Sequence, residues 1–323
     1  MPKNNSKTTT ELRYETNNGC TLFYKIVPPS PYSATPFVKI TGIGKLSSEY
    51  LKDKTLTIPE NIKGYEVRSI EESAFCNADI GNVIIPDSVL YINDYAFKNS
   101  DVKSVHIGSG VRKLGVAVFE GCSDLKSVKL QEGLLKIFDN AFSECRSLTS
   151  IVIPDSVTEL GDSVFDFCES LKSIHIGAGL KNIGEIKTTD FAFGCESLKK
   201  ITVSPLNKRF KVEKDILYNI DEEMLIKVFN NSEIKKDVII PNWVECLSHC
   251  SFHNVRIKNL VIKSPKLYGI GRSQIANVET VRCIPDSYTD EAFREMGIKT
   301  VPVPENKIGN FINSLSDTEN ISK

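Results

Sequence analysis

The chain has 323 residues, enough for one large domain or two of ordinary size. Hydrophobic residues make up 41%, so a substantial core can form, and the formal net charge of −1 argues against a general nucleic-acid or membrane-surface binder. The first ten residues show no apolar segment of a signal peptide, and no run approaches the ~18 apolar residues that span a bilayer. We therefore expect neither nucleic-acid binding nor membrane insertion.

The nine cysteines are odd in number and spread along the chain, unlike those of a small disulfide scaffold. Free thiols are expected, which fits a reducing compartment. With no visible signal peptide, a cytoplasmic location is the default expectation.

An internal repeat organises most of the sequence. One anchor is an aromatic residue that recurs with gaps of 22, 22, 23 and 23 residues, at Phe75, Phe97, Phe119, Phe142 and Phe165. A second anchor is an alternating apolar pair with the same step, at Val83/Ile85, Val105/Ile107, Val128/Leu130, Ile151/Ile153, Ile174/Ile176 and Ile201/Val203. Two anchors in register indicate a repeat architecture.

One unit predicts the local structure of all. The stretch LKSIHI at 171–176 alternates as a strand does, and IPDS at 153–156 predicts a turn through Pro and Asp. A second short extended segment follows at SVTEL, and GDSVFDFC at 161–168 predicts about one helical turn. No unit can bury its apolar side alone, so neighbours must stack about 4.8 Å apart, with phenylalanine on phenylalanine.

The pattern SVxxIGxxAFxxCxxLKSIxIP resembles the BspA-like branch of the leucine-rich repeat family. It is visible as SVLYINDYAFKNSDVKSVHIG at 88–108, as LLKIFDNAFSECRSLTSIVIP at 134–154 and as SVTELGDSVFDFCESLKSIHIG at 156–177. The fold expected is a right-handed leucine-rich repeat solenoid, a β-rich α/β architecture. A parallel β-sheet would form its concave face, with short strands and helical turns elsewhere.

The resemblance also divides the chain. We expect a disordered N-terminus at 1–10, a β-rich N-terminal cap at 11–65 and leucine-rich repeats at 66–205. A β-hairpin insertion at 206–237 would have strands around DILYN and MLIKVF, with IDEE as the turn. Repeats and a degenerate C-terminal cap follow at 238–302, with Phe252 in the aromatic slot, and a polar tail occupies 303–323.

Two groups of soft ligands invite a chemical interpretation. Cys122, Cys145 and Cys168 recur every 23 residues, with Cys195 nearby, and could form a metal or redox ladder. We favour a structural interpretation, a small buried residue at the corner, because identical slots in neighbouring units need no chemistry to explain them.

The stretch CLSHCSFH holds Cys246, His249, Cys250 and His253, which helical spacing would place along one face. These residues also fall on repeat slots, and zinc fingers need two ligand pairs separated by a loop. No metal ligands are therefore assigned, and a metal-dependent protein is kept as an alternative.

Enzyme signatures are weak. Gly42-Ile43-Gly44-Lys45 suggests a phosphate loop only faintly, because the spaced first glycine and the Ser/Thr after Lys are missing, so a turn of the cap is predicted there. His106 and His175 share one strand slot but lie three units, roughly 14 Å, apart. No catalytic residue and no cofactor is predicted, and the protein is not expected to be an enzyme.

The outward strand slots carry the functional prediction. In LKSIHI the second, third and fifth positions face out from the core. The candidate ligand-binding residues in these slots are Lys103, His106, Lys126, Lys129, Lys172, His175, Lys199 and Lys258. They could form a solvated face whose lysines prevent sheet aggregation. The alternative is a surface that binds an acidic or extended protein segment, or a glycan, although Asp101, Asp124, Glu169 and Glu196 would mute the positive field.

We therefore expect a non-enzymatic protein-interaction scaffold. The resemblance implies adhesin-like roles, often on the surfaces of host-associated microbes, so a surface or secreted location is the family-based alternative. An intracellular scaffold or secreted effector with the same fold remains a second possibility.

Overall fold

In a computed structural model, the protein forms two compact units, residues 1–211 and 212–323. The structure describes residues 11–17, 19–47, 50, 54–184, 192–229, 234–272 and 274–303, without the side chain at 236.

The first unit is built from strands that lie far apart along the sequence and pair in parallel, after an antiparallel start. Its strands are β1 Leu12–Glu15, β2 Cys20–Val27, β3 Phe37–Leu46, β4 Thr55–Thr57, β5 Asn61–Ile62, β6 Tyr65–Ile70, β7 Asn82–Ile85, β8 Tyr91–Ile92, β9 Ser104–Ile107, β10 Lys113–Leu114, β11 Ser127–Lys129, β12 Lys136–Ile137, β13 Ser150–Val152, β14 Glu159–Leu160, β15 Ser173–Ile176, β16 Asn182–Ile183 and β17 Lys200–Val203.

Each coil of the first unit contributes one strand to each of two parallel arrays. The first array continues the antiparallel β1-β2-β3 through β6, β8, β10, β12, β14 and β16. The second array consists of β4, β7, β9 and β11, followed by a separate group of β13, β15 and β17. Val105 of β9 is in register with Val83 and Val128, which confirms the step predicted from the apolar pairs.

The core of the first unit contains the predicted column of phenylalanines. Phe75, Phe97, Phe119, Phe142 and Phe165 are fully buried. Consecutive ring centroids lie 4.9, 5.2, 5.5 and 6.1 Å apart, with interplanar angles of 8° to 18°. Each such contact adds about 0.5–1.5 kcal/mol beyond burial of area.

The predicted helical turn at 161–168 is instead a pair of tight turns. Ser163 and Phe167 have φ angles of 53° and 57°, in the left-handed region that a helix cannot use. Alternate N–H groups of each corner then donate to the next coil, as from Asn140 to Asp162 O at 2.9 Å and from Phe142 to Val164 O at 3.0 Å. The backbone satisfies its hydrogen bonds between coils, so a helix at this corner would leave the neighbouring coil without partners.

The predicted turn at Gly42–Lys45 is also wrong, because these residues lie inside β3. Phe23 of β2 is in register with Gly42. A Cβ atom on Gly44 would meet the Phe23 ring at 3.0 Å. Glycine therefore serves here to let an aromatic ring of the neighbouring strand pack across β3.

The second unit combines a hairpin, further parallel strands and one helix. Its elements, with the strand that begins just before it, are β18 Phe210–Glu213, β19 Ile216–Asn219, β20 Met224–Val228, β21 Lys235–Ile240, β22 Cys246–Leu247, β23 Ile257–Ile262, β24 Val278–Cys283, α1 Tyr288–Glu295 and β25 Thr300–Pro302. Strands β19 and β20 pair antiparallel, where strands around DILYN and MLIKVF are predicted. Strands β21, β23, β24 and β25 form a parallel sheet, and Phe252 is buried in this unit's core.

A buried carboxylate holds the helix of the second unit to its sheet. The Asp290 side chain is 5% exposed and accepts hydrogen bonds from Thr300 Oγ1 at 2.7 Å, from Asp286 N at 3.0 Å and from Cys283 Sγ at 3.3 Å. Arg294 also pairs with it. The hydrogen bond from Thr300, supported by these other donors, lowers the pKa of Asp290 to about 2. Because Cys283 ends β24 and Thr300 begins β25, one side chain ties three elements together.

Phe142→Ala should lower the free energy of unfolding by about 3–5 kcal/mol, because it leaves a cavity in the middle of the phenylalanine column. Urea titration followed by circular dichroism measures the change. Phe138→Ala is the control in the same coil, since that ring is 38% exposed. Equal losses from the two variants would contradict the stacked core.

Asp290→Asn should destabilise the protein by about 2 kcal/mol at neutral pH, since a buried charged acceptor is lost. The pKa of Asp290 is lower in the folded than in the unfolded protein. The stabilisation by the wild-type carboxylate is therefore present above pH ~4 and is lost as the pH falls toward 2. Thermal unfolding between pH 7 and 2 measures this. The difference between the two proteins should shrink over that window, and a constant difference would count against a charged Asp290.

Candidate functional site

The predicted residues of the first unit lie on one face. We call the outward side chains of β4, β7, β9, β11, β13, β15 and β17, with the residue preceding each strand where named, the candidate face. Slots are numbered by their position in LKSIHI, so Lys172 holds the second slot. The lysines of this slot in the first unit are all exposed, namely Lys103, Lys126, Lys172 and Lys199. The Lys126 N–H donates to Lys103 O, and the Lys199 N–H donates to Lys172 O. These bonds show that the slot repeats from coil to coil, which spaces the backbones of bonded lysines by about one strand step, ~4.8 Å.

The fifth slot forms a mixed column beside the lysines. His106 of β9 is in register with Ile84 on one side and Lys129 on the other. His175 of β15 is in register with Val152 and Thr202, and its Nδ1 lies 2.9 Å from Thr202 Oγ1. Ile84 and Val152 are 42% and 59% exposed, so this column offers aliphatic surface as well as polar groups.

A column of small hydroxyl groups lies between these two, and the sequence prediction did not include it. Most third-slot residues are short and polar, namely Thr55, Asn82, Ser104, Ser127, Ser150 and Ser173. Ser104 Oγ donates to Asn82 Oδ1 at 2.7 Å. The signal was present in the recurring Ser of KSV, TSI and KSI. Lys200, in register with Ser173, ends the column.

Lys258 belongs to the second unit, where it is exposed on β23. Its neighbour Val261 is in register with Arg282 of β24. Seven of the eight predicted residues thus lie in the first unit, and Lys258 lies on the equivalent strand of the other.

The positive charge of the candidate face is not balanced by direct ion pairs. In the described residues no salt bridge forms to Lys103, Lys126, Lys129, Lys172 or Lys199. Of the carboxylates expected to mute the field, Glu169 instead pairs with Arg146 at 3.3 Å. All five lysines are exposed.

The candidate face is interrupted between β11 and β13. The second-slot N–H of Lys172 bonds to Thr149 O at 2.9 Å, but no equivalent bond joins Thr149 to Lys126 across the described coils. Val128 and Leu130 are partly exposed there, whereas Val105 and Ile151, in the slot of Val128, are at most 3% exposed. We call this interruption the seam.

A depression of about 390 Å³ opens at the seam. Its lining residues are Ser104, Val105, His106, Ser127, Val128, Lys129, Leu130, Ser150, Ile151 and Val152. The floor is aliphatic, and the rim carries hydroxyl groups, one imidazole and one ammonium. The coils remain joined elsewhere, because Phe119 and Phe142 stack and β10 pairs with β12.

The recurring cysteines have a structural role. Each thiol donates to the carbonyl of a phenylalanine in the preceding coil, namely Cys122 to Phe97 at 3.0 Å, Cys145 to Phe119 at 3.2 Å, Cys168 to Phe142 at 3.1 Å and Cys195 to Phe165 at 3.0 Å. They therefore satisfy buried carbonyls, which the interpretation as small apolar residues overlooked.

These thiols are also poor nucleophiles. Burial raises the pKa of Cys122 to about 11 and the pKa of Cys145 well above the usual range of a thiol. The hydrogen bond with Cys195, together with burial, raises the pKa of Cys168. Because the thiolate is the nucleophile and the metal ligand, the raised pKa values of Cys122, Cys145 and Cys168 disfavour reaction of these three thiols near neutral pH.

The stretch Cys246–His253 does not form the helical face considered above. Cys246 begins the short strand β22, and the following residues form turns. In the described parts of the chain, which include all four of these residues, no group of three or more His, Cys, Asp or Glu side chains is arranged to hold a metal ion.

Comparison with known proteins agrees with the coil geometry. The family model for the BspA type leucine rich repeat region (6 copies) matches residues 68–187, 137–224 and 222–318. The chain belongs to the BspA-type leucine-rich repeat family. Proteins with this repeat are generally non-enzymatic binding modules, and the fold is typical of protein-binding or surface proteins.

Solved structures share this solenoid fold. A leucine-rich repeat protein from Bacteroides ovatus is 24% identical, with a TM-score of 0.56 over 80% of this chain and 69% of the other. A leucine rich cell surface protein from Faecalibacterium prausnitzii is 22% identical, with a TM-score of 0.54 over 80% and 73%. The pneumococcal vaccine antigen PcpA is 17% identical, with a TM-score of 0.52 over 85% and 70%. No curated protein matches the chain.

Among the described residues, no helix has both the length and the apolar character needed to cross a membrane.

Alkylation of the folded protein at pH 8 should separate the cysteines into two groups. Cys76, Cys246 and Cys250 are partly exposed and should react, whereas Cys122, Cys145 and Cys168 should react only after unfolding. Peptide mass spectrometry after treatment with iodoacetamide, with and without urea, measures both states. Labelling of Cys145 in the folded protein at the rate of Cys76 would contradict its buried hydrogen bond.

Proposed function

We propose that this leucine-rich repeat protein is a non-enzymatic, adhesin-like scaffold that binds an acidic segment of another protein through the candidate face. The observation that carries the proposal is the run of lysines in the second slot, none of which has an ion-pair partner among the described residues. Lys103 and Lys126 belong to consecutive coils, as do Thr149 and Lys172.

The geometry suits an extended partner. Columns that repeat at the strand spacing, about 4.8 Å, present the same groups to successive positions of a ligand. The stacked coils fix the side-chain origins before binding, so little backbone entropy is lost on association. The lysines would speed encounter with an acidic partner by electrostatic steering.

The same lysines could instead serve only to keep a sheet surface from associating with other strands. The two interpretations differ in one respect, because only a binding face loses a partner when its charge is removed. Stability should be the same in both cases, since these side chains are exposed.

The test replaces Lys126, Lys129 and Lys172 together by alanine. The immobilised protein captures partners from lysates of its native organism and of a host, and mass spectrometry quantifies them. Exposed ion pairs contribute about 0.5 kcal/mol each, so the triple variant should retain about tenfold less of an acidic partner. Unfolding temperature should be unchanged.

The matched control replaces Lys113, Lys181 and Lys208, which are exposed but lie outside the candidate face. It should retain the partner at the wild-type level. Equal capture by both triple variants would refute the assignment of binding to the candidate face. Release of a partner by glycosidase treatment would show that a glycan, and not a protein segment, is recognised.

A further inference from the structure

We infer that the seam between β11 and β13 is a specific binding site for an extended peptide in which an acidic residue lies next to an aliphatic residue. This inference rests on the proposed function and deepens it, because it names the chemistry of the partner and the coils that bind it.

The seam differs from every other junction of the described candidate face. The junction from β9 to β11 has a register of paired residues, as does that from β13 to β15. Strands β11 and β13 are not paired with each other. The facing edges of these strands therefore offer backbone N–H and C=O groups that are not used in a ladder, and such groups are strong hydrogen-bonding partners for a peptide backbone.

The floor of the depression is apolar. Val128 and Leu130 occupy core slots, yet the seam leaves them partly exposed. The corresponding Ile107 and Ile153, in the slot of Leu130, are 1% exposed. Exposed aliphatic surface in a depression of about 390 Å³ is enough to receive one small apolar side chain.

The rim is cationic and rich in donors. Lys129 and His106 are in register on neighbouring strands, and Ser104 and Ser127 are in register beside them. The residues that line the depression include no Asp or Glu. Ser104 Oγ already donates to Asn82 Oδ1, so an anion placed between Lys129 and Ser127 would receive hydrogen bonds from the Lys129 ammonium and the Ser127 hydroxyl, and it would meet no repulsion from the lining.

A carboxylate on a peptide fits this combination better than an anionic sugar does. The lining contains no Phe, Tyr or Trp ring on which a sugar face could stack. It does contain aliphatic side chains and unused strand edges, which match a peptide with alternating polar and apolar residues.

The experiment titrates the isotope-labelled full chain with a blocked hexapeptide of alternating Val and Glu, to concentrations on the order of 1 mM. Amide shifts measured by NMR should concentrate at 127–130 and 149–152. A peptide with Gln in place of each Glu should bind more weakly, by about fivefold or more. Shifts spread over other coils, equal binding of the Gln peptide, or no binding at all would overturn the inference.

Val152→Glu places a carboxylate at the rim and should abolish peptide binding. Ile84→Glu is the matched control, because Ile84 is an exposed residue in the same slot, three coils away and outside the lining. Equal binding by the two variants would contradict the seam as the site. Binding of a heparin hexasaccharide at the seam in place of the peptide would also overturn the inference.

The same variants separate this inference from the broader proposal. If Val152→Glu keeps the natural partner while the Lys126/Lys129/Lys172 variant loses it, the candidate face binds the partner but the seam is not the site of binding. If both variants keep the partner, the proposed function fails together with the inference. Loss of the partner in both, with Ile84→Glu unaffected, supports the two statements jointly.

Discussion

The hydrogen bonds and ring stacking that join one coil to the next at the phenylalanine corner are the interactions on which the rest of the first unit depends. The N–H of Phe119 donates to Ala141 O at 2.9 Å, its carbonyl accepts from the Cys145 thiol at 3.2 Å, and its ring stacks on Phe142. Backbone and side chain of one residue are thus satisfied by the same neighbouring coil. Because no unit can bury its apolar side alone, this junction makes the repeats cooperative.

The stacking of coils at that junction also determines which residues share a surface. When coils stack in register, a residue that recurs in one slot becomes a column on the face. The lysines, the serines and the mixed His, Lys and aliphatic column of the candidate face arise in this way. Their function differs from that of the core slots only because they point outward, so surface chemistry can vary while the stack is kept. An interruption of the register at one junction then creates a place unlike the rest of the face, as at Val128 and Leu130.

The sequence predicts the parts of this protein that obey the period. Phe97 and Val105 are each fixed by a spacing that recurs several times, and the outward position of Lys126 follows from the same alternation. Features that depend on backbone conformation or on another strand could not be predicted. The left-handed residues Ser163 and Phe167 are not glycines, so the corner of their unit resembled a helical turn. Gly44 was misinterpreted because the ring that fills its space comes from another strand, and the seam follows from an absent pairing that no residue type encodes. In that slot Leu130 differs from Ile107 and Ile153 of the coils on either side of it.

Native-state hydrogen exchange at the phenylalanine amides tests the central claim most directly. The N–H groups of Phe97, Phe119 and Phe142 each donate to a following coil, at 2.9, 2.9 and 3.0 Å. If the stack is cooperative, all three should exchange only through global unfolding and should share one free energy of opening. Exchange of these amides at the rate of exposed turn amides, while the strands stay protected, would contradict a core held together by its coil-to-coil corners.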